Sequence, residues 1–393
     1  MPQPGHSRTA AVALLGSAQT LAWASSFYLP AMLAAPMAAD LAIGTPSVFA
    51  ALSMALIVSA LVSPLAGRAI DRRGGRPVLL ASSALFIAGL LALAAAQGPL
   101  TMAAAWMLLG LAMGCGLYDA AFAALVRLHG RDARGAITGI TLIAGFASTV
   151  GWPLSAWMAS HWGWRGACCG WAALHVVIGL PLNAMLPRFA SALAGEAATP
   201  GPTPEAKATV RPPRGTAPLL ALLFAVTGFV STAVATHLPA LLLASGASVT
   251  GAVAAAALVG PAQVAARLFE FGVLRRLPAL VSARAATLGH PLGAMAFLLL
   301  GSAGMLPFVV LHGLGNGLLT IVKGTLPLVL FGAEGYGLRQ GWITMPARLL
   351  GALSPWLFGL VVARWGAGAL TLTCGLGLVA FALLLCLHVP PPG

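Results

Sequence analysis

The chain has 393 residues, of which 59% are hydrophobic and only 7% are charged. A soluble domain carries about 25% charged residues, so the composition excludes an ordinary soluble protein and, with its repeated long apolar runs, predicts a polytopic membrane protein. The formal net charge of +13 comes from basic residues scattered between those runs, which is typical of a topology signal rather than of a nucleic-acid-binding patch.

Hydropathy and helix breakers divide the chain into about twelve predicted membrane spans. In chain order, spans 1 to 12 are predicted at residues 9–36, 45–66, 77–97, 100–126, 136–160, 164–187, 216–244, 247–270, 282–303, 305–331, 342–363 and 367–388. Residues 188–215 are rich in Pro, Ala and charge, which predicts a flexible linker. The expected organisation is an N-terminal six-helix half (1–187), this linker, and a C-terminal six-helix half (216–393).

Basic residues predict the orientation. They lie before span 1, between spans 2 and 3, between spans 4 and 5, in the linker, between spans 8 and 9 and between spans 10 and 11, whereas the opposite side offers only Arg165 and Arg364. By the positive-inside rule, both termini and the linker are predicted to be cytoplasmic. The expected location is therefore the cytoplasmic (inner) membrane of a bacterium, crossed many times.

Three short sequences recur in the same order in the two halves. The pairs are Tyr28–Leu33 with His237–Leu242, Ala60–Pro64 with Ala257–Pro261, and Met113–Leu117 with Leu314–Leu318. Their common order and their offset of about 200 residues predict two parallel repeats, an architecture of alternating-access carriers in which the substrate site lies between the repeats near the midplane.

The loop between spans 2 and 3, GRAIDRRGGRPVLL (Gly67–Leu80), resembles the signature loop of the major facilitator superfamily (MFS), G-x-x-x-D-R-x-G-G-R. The matching residues are Gly67, Asp71, Arg72, Gly74, Gly75 and Arg76. The resemblance implies an all-α membrane protein with the MFS fold: twelve transmembrane helices in two pseudo-symmetric six-helix halves, functional as a monomer.

In that superfamily the loop latches the cytoplasmic ends of the halves in one conformational state. The implication carries to Asp71, Arg72 and Arg76, with the start of span 11 near Trp342 as the partner. A solvated charge run that only fixes topology is the alternative. Span 5 departs from the family's drug antiporters, because Gly145–Trp157 lacks their Gly-Pro-x-x-Gly-Gly core.

Span 10 carries a polar stripe. His312, Asn316, Thr320 and Lys323 are spaced by 4, 4 and 3 residues, which places them on one side of a helix. A charged residue within a membrane is costly and faces a cavity or a partner, and in the superfamily spans 1, 4, 7 and 10 line the central cavity. These residues are therefore candidates for substrate binding, with Lys323 attracting an anion. Alternatively, Lys323 neutralises a carboxylate or snorkels to the interface.

Asp119 in span 4 is the candidate proton carrier, because a carboxyl within the membrane can exchange a proton with a neighbouring group. A pair between Asp119 and Lys323, whether it couples transport or only supports structure, is an open alternative. Tyr118 and Arg348 are further candidates for substrate binding, although Arg348 could instead pair with Glu270.

Tyr28 and His237 occupy equivalent positions near the extracellular ends of spans 1 and 7. They are candidates for an extracellular gate, and a histidine can titrate near neutral pH. The alternative for His237 is a packed hydrogen-bonding residue.

The excess of intramembrane cations over acids favours a secondary active transporter that moves a small organic anion by alternating access, with protons as the coupling ion. Alternatives are proton-antiport efflux of drug-like or toxic compounds and a membrane sensor that does not transport. No G-x-x-x-x-G-K-[ST] loop is present, and no nucleophile–base or metal constellation is apparent. The sequence thus predicts no enzyme activity, no cofactor and no metal; the expected partners are substrate, protons and lipid, without nucleic acid.

Overall fold

The computed structural model describes residues 8–187, 213 and 215–387, and all regular secondary structure within these ranges is helical. The α-helices are α1 (Arg8–Ala24), α2 (Leu29–Asp40), α3 (Thr45–Arg73), α4 (Gly75–Ala94), α5 (Pro99–Gly116), α6 (Tyr118–His129), α7 (Ala133–Ala144), α8 (Ala147–Leu174), α9 (Leu180–Ala184), α10 (Thr216–Ala244), α11 (Val249–Ala257), α12 (Val259–Gly272), α13 (Ala279–Leu300), α14 (Met305–Phe331), α15 (Tyr336–Trp365) and α16 (Leu370–Leu385). One turn of π-helix, His175–Gly179, joins α8 to α9.

Eight helical stretches of the described chain are long and apolar enough to cross a membrane. Two of them, Ala133–Ala184 with 52 residues and Ala279–Phe331 with 53 residues, each hold two predicted spans. Glycines with positive φ break these stretches, Gly163 at φ 71° and Gly301 at φ 57°. Each predicted span coincides with described helix, and the chain is a multi-pass all-α membrane protein.

The eight stretches do not include span 8 or the first part of span 11. A turn at Leu258 divides span 8 into α11 and α12, so neither helix alone is long enough to cross. Span 11 is formed by α15, which carries Arg348. Both spans are present as helices.

The described helices form two compact units. Unit 1 groups the described residues of Met1–Arg211 with the segment Phe331–Trp342, and unit 2 groups those of Pro212–Leu330 with Ile343–Gly393. The expected linker at residues 188–215 lies almost wholly outside the described residues. Within unit 1, α3 and α4 pack on α5, and α1 packs on α7; within unit 2, α13 and α10 pack on α16.

Small residues allow the helices of each unit to approach closely. A Cβ atom built on Gly110 would lie 2.5 Å from the carbonyl oxygen of Ala55 in α3. In unit 2, a Cβ atom on Gly317 would likewise lie 2.5 Å from the carbonyl oxygen of Gln263 in α12. Glycines in spans 4 and 10 therefore allow close packing on spans 2 and 8, as expected of membrane helices.

Two further glycines make contacts of the same kind. A Cβ atom on Gly114 would lie 2.9 Å from the carbonyl oxygen of Ser59 in span 2, and one on Gly313 would lie 2.7 Å from the Cβ atom of Ala262 in span 8. Gly315 instead faces span 9, where a Cβ atom on it would lie 2.7 Å from the carbonyl oxygen of Ala286.

Candidate functional site

The polar stripe of span 10 lies on a single unbroken helix, α14. His312 is 4% exposed, while Asn316, Thr320 and Lys323 are half-buried. The side chain of Thr320 donates a hydrogen bond to the backbone carbonyl of Asn316 at 3.1 Å, which satisfies a hydroxyl that lies one turn away on the same side.

The first two members of the stripe belong to a polar pocket within unit 2, here called the paired pocket. Its polar lining comes from α10, α13 and α14, and consists of Thr227, Ser231, Thr287, His290, His312 and Asn316. Ser231 donates its hydroxyl proton to the amide oxygen of Asn316 at 2.6 Å. His312 Nδ1 and His290 Nδ1 lie 2.9 Å apart, so one imidazole donates a proton to the other.

His290 is a residue that sequence reasoning missed. It lies in α13, is 7% exposed, and contacts the face of Phe308 at a ring-centroid distance of 5.8 Å. The signal that could have found it is the histidine immediately before Pro291 in an apolar span, since polar residues inside membrane helices are rare and have partners.

Lys323, Thr320 and Arg348 are not among the residues that line the paired pocket. Lys323 and Arg348 are both half-buried residues of unit 2, on α14 and α15 respectively. The structure therefore brings His312 and Asn316 together in one pocket and leaves the two cations outside it.

Asp119 lies in unit 1 at the start of α6, directly after a break in span 4. Leu117 is extended there (φ −82°, ψ −168°) and separates α5 from α6. The Nε2 group of Gln340, a side chain with 0% exposure, donates to Asp119 Oδ1 across 3.5 Å, a long hydrogen bond. Tyr336 is also close: burial raises the pKa of Tyr336, and the negative charge of Asp119 acts in the same direction.

Tyr28 and Tyr118 belong to one aromatic cluster in unit 1. Trp23 contacts both, with ring-centroid distances of 4.9 Å to Tyr118 and 6.2 Å to Tyr28. Trp152 contacts Tyr28 edge to face at 6.0 Å. His237 lies in unit 2, where it packs against Phe358 at 5.7 Å. The cluster places a candidate substrate residue next to a candidate gate residue.

The signature loop is a tight turn between α3 and α4. Gly74 makes the turn with φ 81°, a conformation that glycine adopts without steric cost. Asp71, in the last turn of α3, accepts hydrogen bonds from the backbone N–H groups of Gly337 and Leu338, each at 2.8 Å. These are N–H groups of the first turn of α15, where a carboxylate is favoured by the helix dipole.

Glycines make this contact possible. A Cβ atom on Gly67 would overlap the carbonyl group of Gly337, so only a glycine lets the two backbones approach. Of the loop arginines, Arg72 is exposed and Arg76 is half-buried. The structure thus places Asp71 against the start of α15.

The charges available at these candidate sites are those of side chains and of helix ends. In the part of the chain that the structure describes, no group of three or more His, Cys, Asp or Glu side chains is placed to hold a metal ion.

Comparison with known proteins gives one family. The family model described as the Major Facilitator Superfamily matches residues 15–322. No curated protein sequence matches the chain.

Three solved structures are similar over nearly the whole chain. The human organic anion transporter MFSD10 (TETRAN) has a TM-score of 0.67 and 18% identity, covering 97% of this chain and 100% of that one. The proton:xylose symporter XylE has a TM-score of 0.75 and 14% identity, covering 98% and 95%. The transporter FucP in an outward conformation has a TM-score of 0.72 and 13% identity, covering 95% and 98%. At these identities the likeness shows the fold.

Proposed function

The chain belongs to the Major Facilitator Superfamily, and from this we propose that it is a proton-coupled secondary transporter that moves a small organic anion across the cytoplasmic membrane of a bacterium. The family and the similar structures are transporters that bind small molecules and act as single chains. The protein is accordingly a transporter and not an enzyme. The solute class, the coupling ion and the membrane are our proposal.

The observation that supports an anionic substrate is the position of Lys323. It is the one lysine or arginine in α14, a helix of 27 residues, and it is half-buried on the side that also carries Asn316 and Thr320. An ammonium within a membrane span costs about 2.5–3.5 kcal/mol on insertion scales, and a bound anion offsets that cost. A structural neighbour is described as an organic anion transporter, which supports the same solute class.

The residues of the stripe take different roles in this proposal. Lys323 attracts the anion and the amide N–H groups of Asn316 donate to it, while Thr320 donates to it once its hydroxyl turns away from the Asn316 carbonyl. Because Ser231 holds the amide oxygen of Asn316, the amide has a fixed orientation before substrate arrives. His312 is already engaged by His290, so its role is to position this turn of α14.

Arg348 and Tyr118 complete the proposed substrate-binding set. Arg348 adds a second cation in unit 2, and Tyr118 offers a phenol beside Asp119 in unit 1. Tyr28 and His237 are proposed as the extracellular gate. Termini and linker on the cytoplasmic side, and six-helix halves at 1–187 and 216–393, belong to the same proposal.

Asp119 is the proposed proton carrier. Gln340 donates a hydrogen bond to its carboxylate, and Tyr336 lies within reach of its negative charge, so protonation of the carboxyl weakens its interaction with both groups. The Asp71 contact with the first turn of α15 lies in the same unit. We infer that release of this contact accompanies the change from one access state to the other, and that Arg72 and Arg76 hold the loop at the membrane surface.

The experiment is a thermal-shift screen of the purified protein against small organic anions, lipophilic cations and neutral sugars. A ligand stabilises the state that it binds by RT ln(1 + [L]/Kd), so a true substrate raises the unfolding temperature in a dose-dependent way. We expect an anion to do so, Lys323→Met to abolish the shift, and Lys323→Arg to retain part of it because the charge is kept.

Transport by the same variants in proteoliposomes is the second readout. An anion shift that survives in Lys323→Met, with normal uptake, would remove Lys323 from the substrate site. If no small organic anion shifts the unfolding temperature of the unaltered protein and none is taken up, the anion proposal is wrong.

Efflux of drug-like compounds is the second candidate function, and the aromatic cluster is the observation that favours it. Trp23, Phe27, Tyr28 and Tyr118 are half-buried in the structure, and such rings bind flat lipophilic cations through their faces. A thermal shift from lipophilic cations alone, unaffected by Lys323→Met, would favour this function over anion transport.

A further inference from the structure

Unit 1 contains a polar pocket that the proposed function does not use, here called the open pocket. It lies among α1, α4, the end of α5, the π-helical turn and α9. Its polar side chains are Gln19, Ser82, Ser83, His175 and Asn183. Each of them is less than 10% exposed, with Gln19 and His175 at 2% and Asn183 at 7%.

The two amide side chains present oxygens to this pocket. Gln19 donates its Nε2 group to the backbone carbonyl of Gly116 at 2.6 Å, and Asn183 donates its Nδ2 group to the carbonyl of Leu79 at 3.3 Å and to Ser83 Oγ at 2.9 Å. Because a carbonyl only accepts, these bonds fix the orientation of both amides. Gln19 Oε1 and Asn183 Oδ1 have no hydrogen-bond partner among the described residues.

The serine hydroxyls around the pocket also donate their protons to groups outside it. Ser82 donates to the carbonyl of Ala112 at 2.9 Å, and Ser83 donates to the carbonyl of Leu79 at 3.2 Å. Only the oxygen lone pairs of these hydroxyls are left for a guest. The side-chain oxygens that line the open pocket are therefore all acceptors toward its interior.

His175 adds a further acceptor. Its Nε2 atom lies 2.8 Å from Ser25 Oγ, and the Ser25 hydroxyl also reaches the carbonyl of Ala22 at 3.4 Å. We assign the hydroxyl proton to that carbonyl, so Nε2 carries the imidazole proton and Nδ1 keeps a lone pair. Nδ1 has no partner in the described part of the chain, and Phe86 stacks on the ring at 4.9 Å.

The backbone around the pocket contributes a partial negative charge, which favours the same kind of guest as the side-chain acceptors do. Helix α5 ends at Gly116, which lines the pocket, and the C-terminal end of a helix carries a partial negative charge. The π-helical turn His175–Gly179 lies on the other side, and such turns are frequent at functional sites. Broken helices whose C-terminal ends meet inside the membrane coordinate Na⁺ in other carriers.

We propose that the open pocket binds a small monovalent cation, with Na⁺ as the probe. The amide oxygens of Gln19 and Asn183 and the hydroxyl oxygens of Ser82 and Ser83 are the ligands, and the end of α5 supplies favourable potential. With the His175 tautomer assigned above, a single water, which donates two hydrogen bonds, leaves one of the three unpartnered atoms without a donor. No carboxylate lines the pocket, so binding is weak and reversible. The inference stands independently of the anion and of Asp119.

The test is binding of radioactive sodium to the purified full-length protein by scintillation proximity. Unlabelled NaCl is expected to displace the signal and choline chloride is not. Asn183→Leu and Gln19→Leu each remove an oxygen and are expected to weaken binding at least about tenfold. Asn183→Asp keeps the size of the side chain and adds a negative charge, so it is expected to tighten binding.

Thr287→Val in the paired pocket of unit 2 is the matched control, expected to bind Na⁺ as the unaltered protein does. Unfolding temperatures in choline chloride verify that each variant is folded. Absence of displaceable sodium in the unaltered protein would mean that water fills the pocket and would overturn the proposal. Unchanged affinity in Asn183→Asp together with Gln19→Leu would overturn it as well.

Discussion

The two polar pockets are built from equivalent helices of the two repeats but treat their polar groups differently. In the paired pocket of unit 2, His290 bonds to His312 and Ser231 bonds to Asn316, which leaves one buried polar atom, His290 Nε2, without a partner among the described residues. In the open pocket of unit 1, three polar atoms, Gln19 Oε1, Asn183 Oδ1 and His175 Nδ1, have no partner there. The paired pocket is thus the more nearly satisfied network, which makes it a more rigid support, whereas the open pocket has more polar atoms available to a guest.

The ends of spans 2 and 8 differ in the same way. Asp71 reaches the first turn of α15 and Gly67 meets the backbone of Gly337. In unit 2, Glu270 of α12 instead accepts a hydrogen bond from Ser282 of α13 at 2.7 Å, and a Cβ atom on Gly272 would meet nothing within 4 Å. In unit 1 this end of span 2 contacts α15, whereas in unit 2 the acidic side chain at the end of span 8 bonds to the next helix, α13.

The largest expected effect is that of Gly67→Ala. The added methyl group overlaps the Gly337 carbonyl, so the backbones of α3 and α15 must separate, at a cost of about 3 kcal/mol, the upper end for overpacking. Gly272→Ala is the control with open space. Thermal unfolding and uptake by both variants measure the difference. Equal unfolding temperatures for the two would show that the close approach does not stabilise the protein.

His290→Leu tests whether the paired pocket is a closed network. The substitution leaves His312 Nδ1 buried without its partner, which costs about 1–3 kcal/mol of stability. Replacing both histidines by leucine is expected to destabilise the protein less than the sum of the two single substitutions. In the double variant neither ring is left without its hydrogen-bond partner. A double-mutant cycle on unfolding temperatures measures this coupling. Strictly additive effects would mean that the two rings act independently.

Asp119→Asn has the smallest expected effect on stability. The amide of the variant has nearly the size of the carboxylate and keeps an oxygen that can accept from Gln340, so the free energy of unfolding is expected to change by about 0.5 kcal/mol. The informative effect of Asp119→Asn is its effect on proton coupling. Uptake in proteoliposomes by the unaltered protein is expected to respond to an imposed pH gradient, and that of Asp119→Asn is not. A preserved response would assign proton coupling to another residue.

Much of the fold follows from hydropathy, and so do the candidates in span 10. The apolar runs and the glycines between them predict the helices because each run sums the transfer free energy of about twenty residues. The spacing of His312, Asn316, Thr320 and Lys323 correctly predicts their common place on one helix, since α14 has no interruption.

Hydropathy did not identify the open pocket. A single Gln19, His175 or Asn183 hardly changes the average of an apolar run, and the partner of each lies on another helix. Their convergence also depends on two local departures from the α-helix, the extended Leu117, which has no proline beside it, and the π-helical turn, which is followed by Pro181. Gln340 was missed for a related reason, because its partner Asp119 is remote in sequence.

The π-helical turn makes the function of unit 1 sensitive to chain length. His175 and Asn183 are eight residues apart, a separation that in a regular helix of about 100° per residue turns one side chain some 80° away from the other. The wide turn absorbs one residue, so the phase approaches that of residues seven apart. Deleting a residue such as Val177, whose side chain is 71% exposed, would remove nothing that touches the open pocket. It would leave a regular helix in which the two side chains are seven residues apart and keep about the same phase, whereas insertion of one residue there would rotate His175 against Asn183 by about 100°. This turn is therefore a place where one added codon changes a site without changing its residues.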